Sequence, residues 1–211
     1  MNPTTGSWHD ALAPLWRNNV ALAQLIGLCP LLAVTKTVVA GLALGLASAA
    51  VVVVASTTMA MLRPLLVPAV RLPLTLTILA ALVTAVDLAS QALFYDLHEL
   101  LGLFVPLIAV NTGLIAHAEN VASRRGVAFT FVSSVATGFG FLFALVALGA
   151  LREVLGAGTL LAGAELLGGE AARGLTVTLP FGGTLVAALP PGAFFGLALL
   201  LALRNRLTVI R

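Results

Sequence analysis

Two stretches decide how this sequence folds: Leu25-Ile26-Gly27-Leu28-Cys29-Pro30-Leu31-Leu32-Ala33-Val34 and Leu101-Gly102-Leu103-Phe104-Val105-Pro106-Leu107-Ile108-Ala109-Val110. Both read Leu/Ile-Gly-Leu and then Pro-Leu-Leu/Ile-Ala-Val, with one extra residue in the second copy. Each is a short apolar segment interrupted near its proline, which has no N–H to give and crowds the preceding turn. Each is followed by two fuller apolar stretches. Apolar segments rich in Leu, Ala and Val also resemble one another by chance, but Gly and Pro at the same place in each half favour a repeat. Three helices per half is an odd number, so two such halves in one membrane chain sit in opposite orientations. Inverted repeats of this kind bring their broken helices together near the bilayer midplane.

The composition agrees with a membrane setting. Of the 211 residues, 60% are hydrophobic and 9% charged, with a mean hydropathy of +1.11. A water-soluble domain carries charge on roughly a quarter of its residues, so most of this surface must meet lipid or apolar protein. Apolar segments fall at residues 20–34, 38–62, 72–95, 100–116, 127–151 and 184–203. The fourth is broken again around Asn111-Thr112-Gly113, and the connection 152–183 is long and Gly-rich. The expectation is an all-α membrane protein of about six transmembrane helices. They form two inverted three-helix repeats, each opened by a broken half-helix. Residues 1–19 are a lead-in, 20–95 and 96–206 the two repeats, and 207–211 a tail.

Residues 1–20 lack the charged, apolar and small-residue order of a cleaved signal peptide, and Leu12, Leu15 and Trp16 suit the membrane interface. Arg17, Arg63, Arg71, Arg124, Arg125, Arg204, Arg206 and Arg211 fall on one side of this topology, against Lys36, Arg152 and Arg173 on the other. That excess predicts both termini in the cytoplasm. The basic residues are dispersed, which argues against a nucleic-acid partner.

Few residues carry chemistry. Cys29 is the only cysteine, so no intrachain disulfide forms. Beside Pro30 at the first break, it is either a buried apolar thiol or a ligand to iron. A [2Fe–2S] cluster normally takes four ligands, so only a site shared between two chains is open to it. Asp87 lies inside the third span. An ionisable group there is a functional candidate for an ion pathway, unless Thr84, Ser90 or a neighbouring helix merely satisfies it. His117 and Glu119 read as a polar rim before Arg124-Arg125, and Arg152-Glu153 as the opening of the long connection. No Ser/His/Asp constellation, phosphate-cradling loop or dinucleotide fingerprint is present, so soluble-type catalysis is not expected.

Several ordered motifs resemble the NqrD/RnfE family over nearly the whole chain. They are Leu15-Trp16-Arg17-Asn18-Asn19, the stretch from Leu25 to Val34, Pro106-Leu107-Ile108-Ala109-Val110-Asn111, Leu151-Arg152-Glu153-Val154-Leu155-Gly156 and Leu189-Pro190-Pro191-Gly192-Ala193-Phe194. The resemblance implies an integral inner-membrane subunit of an Rnf electron-transport complex, not catalytic alone. Such a complex moves electrons between ferredoxin and NAD(H), coupled to Na⁺ or H⁺ transport. It also implies pairing with a homologous RnfA-like subunit of opposite orientation, alongside RnfB-, RnfC-, RnfD- and RnfG-like subunits. Each chain of the pair gives one Cys from each broken helix to a shared [2Fe–2S] cluster. Cys29 falls on the first ligand position. Thr112 stands on the second, where the family has Cys, and a neutral hydroxyl is a poor iron ligand beside a thiolate. The rival functions are an inverted-repeat secondary transporter of a small solute or ion, and a cluster-less scaffold of the redox complex.

Overall fold

The structure is a computed structural model, and it describes residues 8–16, 18–93, 95–122, 124–163, 177–178, 183–184, 187 and 189–209. The expectations for Arg17, Arg173, Arg211 and most of the connection after residue 163 lie outside the described residues.

The helices are α1 (Trp8–Leu12), α2 (Leu28–Val34), α3 (Val38–Leu62), α4 (Pro68–Leu93), α5 (Tyr95–Leu101), α6 (Thr112–His117), α7 (Val127–Ala157) and α8 (Pro190–Val209). Among the described residues three stretches are long and apolar enough to cross a membrane: Val38–Leu65, Pro68–Leu93 and Val127–Ala157. The first and fourth apolar segments are not continuous helices. Residues 18–27 lie outside regular helix and α2 has only seven residues. The fourth segment is divided into α5, a 3₁₀ turn Val105–Ile108 and α6, and a π-helical turn Ala118–Ala122 follows.

The all-α expectation needs one correction. β1 (Thr159–Leu160) pairs antiparallel with β2 (Val177–Thr178) inside the long connection, where Gly-rich chain with β-branched residues suits a short ladder better than a helix. α4 also opens at Pro68, four residues before the expected start. Proline's fixed φ suits a first helical position, and the helix carries Pro73 inside it.

α3 and α7 form the central pair, and glycine sets their spacing. A Cβ on Gly41 would stand 2.9 Å from the Leu145 carbonyl oxygen, and one on Gly149 would stand 2.9 Å from that of Thr37. Small residues let two membrane helices approach backbone to backbone, which replaces the hydrophobic drive that lipid removes. Leu44, Val51, Val52 and Ala55 of α3 then pack with Leu79 and Val83 of α4 and with Ile108 and Leu114 of the broken segment. Phe141, Leu145 and Leu148 of α7 face Leu31 of α2 and Leu197 of α8. Leu12, Leu15 and Trp16 are exposed. The lead-in is fastened to α7 by Asn19, whose Nδ2 donates to the Gly140 carbonyl at 2.7 Å. Asn19 Oδ1 accepts from the backbone N–H groups of Ala21 and Leu22.

Candidate functional site

The two breaks meet. α2 is preceded by Gly27 in left-handed backbone at φ +74°, and α6 is preceded by Asn111, whose side chain accepts from the Gly113 N–H at 3.0 Å. These two cap residues touch: a Cβ on Gly27 would collide with Asn111 Oδ1. Glycine is therefore required at position 27 twice over, for its φ and for the approach of Asn111. Asn111 is buried, and its Nδ2 has no partner among the described residues.

Cys29 follows Gly27 in the first turn of α2, and its thiol is free and exposed. It is not a packed core cysteine. Thr112 opens α6 and is also exposed. Among the described residues no three His, Cys, Asp or Glu side chains gather into a metal site. Cys29 therefore stands at the surface of the chain beside the paired breaks.

Asp87 lies two turns from the end of α4, and its Oδ1 is 3.4 Å from His98 Nδ1 on α5. That contact is an electrostatic approach without hydrogen-bond geometry, since Oδ1 lacks a hydrogen-bond partner among the described residues. Ser90 Oγ donates to the Asp87 carbonyl at 2.8 Å and lies 3.2 Å from His98 Nδ1. The α4–α5 corner thus joins Asp87, Ser90 and His98, of which the sequence alone associates only the first two.

His117 corrects the reading of a polar rim. It is buried, with Nε2 3.2 Å from Ser134 Oγ and Nδ1 3.1 Å from Thr137 Oγ1. It is the last residue of α6, the closing piece of the broken fourth segment. A cavity of about 430 Å³ reaches it. Gly113, Ser133 and Thr137 form the buried part of that wall, and Asp10, Asn18, Asn120 and Arg124 the exposed part. Gly113 thus belongs both to this cavity and to the second break.

Glu119, on the turn after α6, reaches Thr75 Oγ1 of α4 at 3.4 Å. The hydroxyls of α7 are the signal that points to this wall and that the sequence reading passes over. Thr130, Ser133, Ser134 and Thr137 recur at helical spacing, which puts a polar stripe on one face of an otherwise apolar span.

Arg152 and Glu153 also depart from expectation, for they lie inside α7 and both are buried. Glu153 accepts from the Val38 N–H at 2.7 Å, which caps α3, and from the Ala162 N–H at 2.6 Å. Arg152 donates to the Leu32 carbonyl at 3.2 Å, to Thr35 Oγ1 at 3.1 Å and to the Ala187 carbonyl at 3.4 Å. A guanidinium among terminal carbonyls of α2 complements the negative end of that half-helix. These two residues brace the end of α2, the start of α3 and the approach to α8.

Long apolar helices around two abutting chain breaks define an integral membrane protein. A family model described as "Rnf-Nqr subunit, membrane protein" matches residues 8–201, and the chain belongs to that family. It is 48% identical over 192 residues to the E subunit of the ion-translocating oxidoreductase complex of Thioalkalivibrio sulfidiphilus, covering 90% of this chain and 84% of the relative. The protein of the same description from Pseudoalteromonas atlantica is 48% identical over 204 residues, covering 94% and 85%. That from Haemophilus ducreyi is 43% identical over 201 residues, covering 94% and 88%.

Proposed function

We propose that this chain is the E-type subunit of an ion-translocating oxidoreductase complex in the bacterial inner membrane. It pairs there with a homologous RnfA-like subunit of opposite orientation, and the pair carries electrons across the bilayer in a complex that couples ferredoxin/NAD(H) electron transfer to Na⁺ or H⁺ transport. Both termini lie in the cytoplasm, and the chain forms six spans as two inverted three-helix repeats. The likeness along nine-tenths of the chain supports the reading. The observation that carries it is the contact of Gly27 with Asn111, which sets two half-helix starts side by side with the Cys29 thiol exposed beside them.

In this reading Cys29 gives one thiolate to the iron of a [2Fe–2S] cluster shared with the partner. A cluster of this type takes up and returns one electron. Thr112 supplies no thiolate, so the remaining ligands come from the partner or from an oxygen donor. The half-helices hold Cys29 at the subunit surface, and the Gly27–Asn111 contact fixes its position relative to the second break.

The test is iron content and low-temperature EPR of the co-purified subunit pair, wild type beside Cys29→Ser. A [2Fe–2S] signal that disappears in the variant is the expected result. Wild-type pairs without iron sink the cluster, and the chain is then a scaffold of the redox complex.

A further inference from the structure

We propose that the mouth of the cavity between α1 and the start of α7 binds a zwitterionic lipid headgroup, that of phosphatidylethanolamine. The lipid phosphate sits on Arg124 and Arg125, and its ammonium on Asp10.

The mouth lies at headgroup depth. α3 and α7 belong to stretches long and apolar enough to cross a membrane. Arg63 follows the end of α3, and Arg124 and Arg125 stand just before α7 begins. Arg63 Nη1 donates to the Arg125 carbonyl at 3.3 Å, so the end of one span and the start of the other share a level. Arg124 and Arg125 both line the cavity there. Basic pockets between membrane helices at such a level take lipid headgroups. The volume, about 430 Å³, falls within the ~300–1,000 Å³ of small-molecule sites.

The charges select the headgroup. Asp10 and Arg124 are both exposed on the cavity, and neither forms an ion pair among the described residues. Arg125 holds its guanidinium over the Phe129 ring, 5.1 Å from the centre, and Phe129 also lines the cavity. A simple anion gains the two guanidinium groups but faces the Asp10 carboxylate. A simple cation gains Asp10 but meets both arginines. A phosphodiester joined by two carbons to a primary ammonium satisfies both signs at once. The ammonium has three N–H donors, and the side-chain oxygens of Asn18 and Asn120 stand with Asp10 on the exposed wall to receive those that Asp10 does not. Leu12 and Leu15, which follow Asp10 in the chain, are exposed and give the acyl chains an apolar neighbour outside the cavity.

The experiment titrates the full chain in detergent with phosphatidylethanolamine, phosphatidylglycerol and phosphatidylcholine of identical acyl chains, and reads bound lipid by native mass spectrometry. Phosphatidylethanolamine is expected to bind best. Phosphatidylglycerol has no ammonium, and the quaternary ammonium of phosphatidylcholine has no N–H for Asp10. Asp10→Asn is expected to weaken phosphatidylethanolamine about fivefold, the upper range for an exposed ion pair, and to leave phosphatidylglycerol no weaker. Arg124→Gln is expected to weaken both. Phosphatidylglycerol binding more tightly than phosphatidylethanolamine overturns the proposal, and so does phosphatidylethanolamine binding that Asp10→Asn leaves unchanged. Soluble phosphoethanolamine at equal concentration is expected not to displace the lipid. Displacement assigns the site to a free zwitterion and overturns the lipid. If either variant fails to accumulate, the ranking of the three lipids on the wild-type chain decides alone, and equal binding overturns the proposal.

Discussion

The two ends of α7 bury polar groups in opposite ways. Near its end, Arg152 and Glu153 are almost wholly enclosed, yet each has several partners drawn from other elements. Near its start, Thr130, Ser133, Ser134 and Thr137 are equally buried, but Thr130 Oγ1 has no partner among the described residues and the stripe faces a cavity. Buried polar groups that are saturated hold a structure together. A buried polar group left without a partner calls for an explanation of its own. By this contrast the far end of α7 is bound into the fold, and the near end presents its hydroxyls to the cavity.

The architectural end gives the larger effect. Glu153→Ala leaves the Val38 and Ala162 N–H groups buried without their carboxylate, and hydrogen bonds to charged groups run to about 1.5–3 kcal/mol each. The expected loss is about 4 kcal/mol, read as a lowered midpoint in detergent-solubilised unfolding or as failure to accumulate in the membrane. Arg152→Lys keeps the charge but loses the fork that spans carbonyls on two elements, with about half that loss. A Glu153→Ala protein as stable as wild type would erase the contrast between the two ends.

What is legible in the sequence follows from these same forces. Long apolar runs without charge read directly as α3, α4 and α7, because their length and composition are set by the bilayer. The breaks at Gly27 and at Asn111 are also readable, since Pro and Gly act locally. Two things are not. His117 looks interfacial beside Glu119 and Arg124, and only the packing of α6 on α7 shows that its ring is enclosed. Arg152-Glu153 looks like the start of a loop, because two adjacent charges end an apolar run. Their burial depends on carbonyls and N–H groups from residues as distant as Leu32, Val38 and Ala187, and no local pattern announces such partners.

The smallest effect tests how the two breaks are fitted together. Leu25 and Gly27 both have positive φ, +53° and +74°, so the chain turns sharply twice before α2 begins. Left-handed backbone costs a residue with a Cβ about 1–2 kcal/mol, and Leu25, being exposed, recovers little of this through packing. Leu25→Gly is expected to raise stability by up to about 1 kcal/mol, with the greater freedom of glycine in the unfolded chain offsetting part of the gain. Gly27→Ala acts in the other direction, because the new methyl meets both the strained φ and the Asn111 side chain. Opposite shifts in Tm from these two neighbours would show that the turn at Leu25 is a tolerated strain, while that at Gly27 is demanded by the meeting of the breaks. Equal losses would mean that Leu25 also packs against something in the assembled complex, and its side chain would then mark the partner's position.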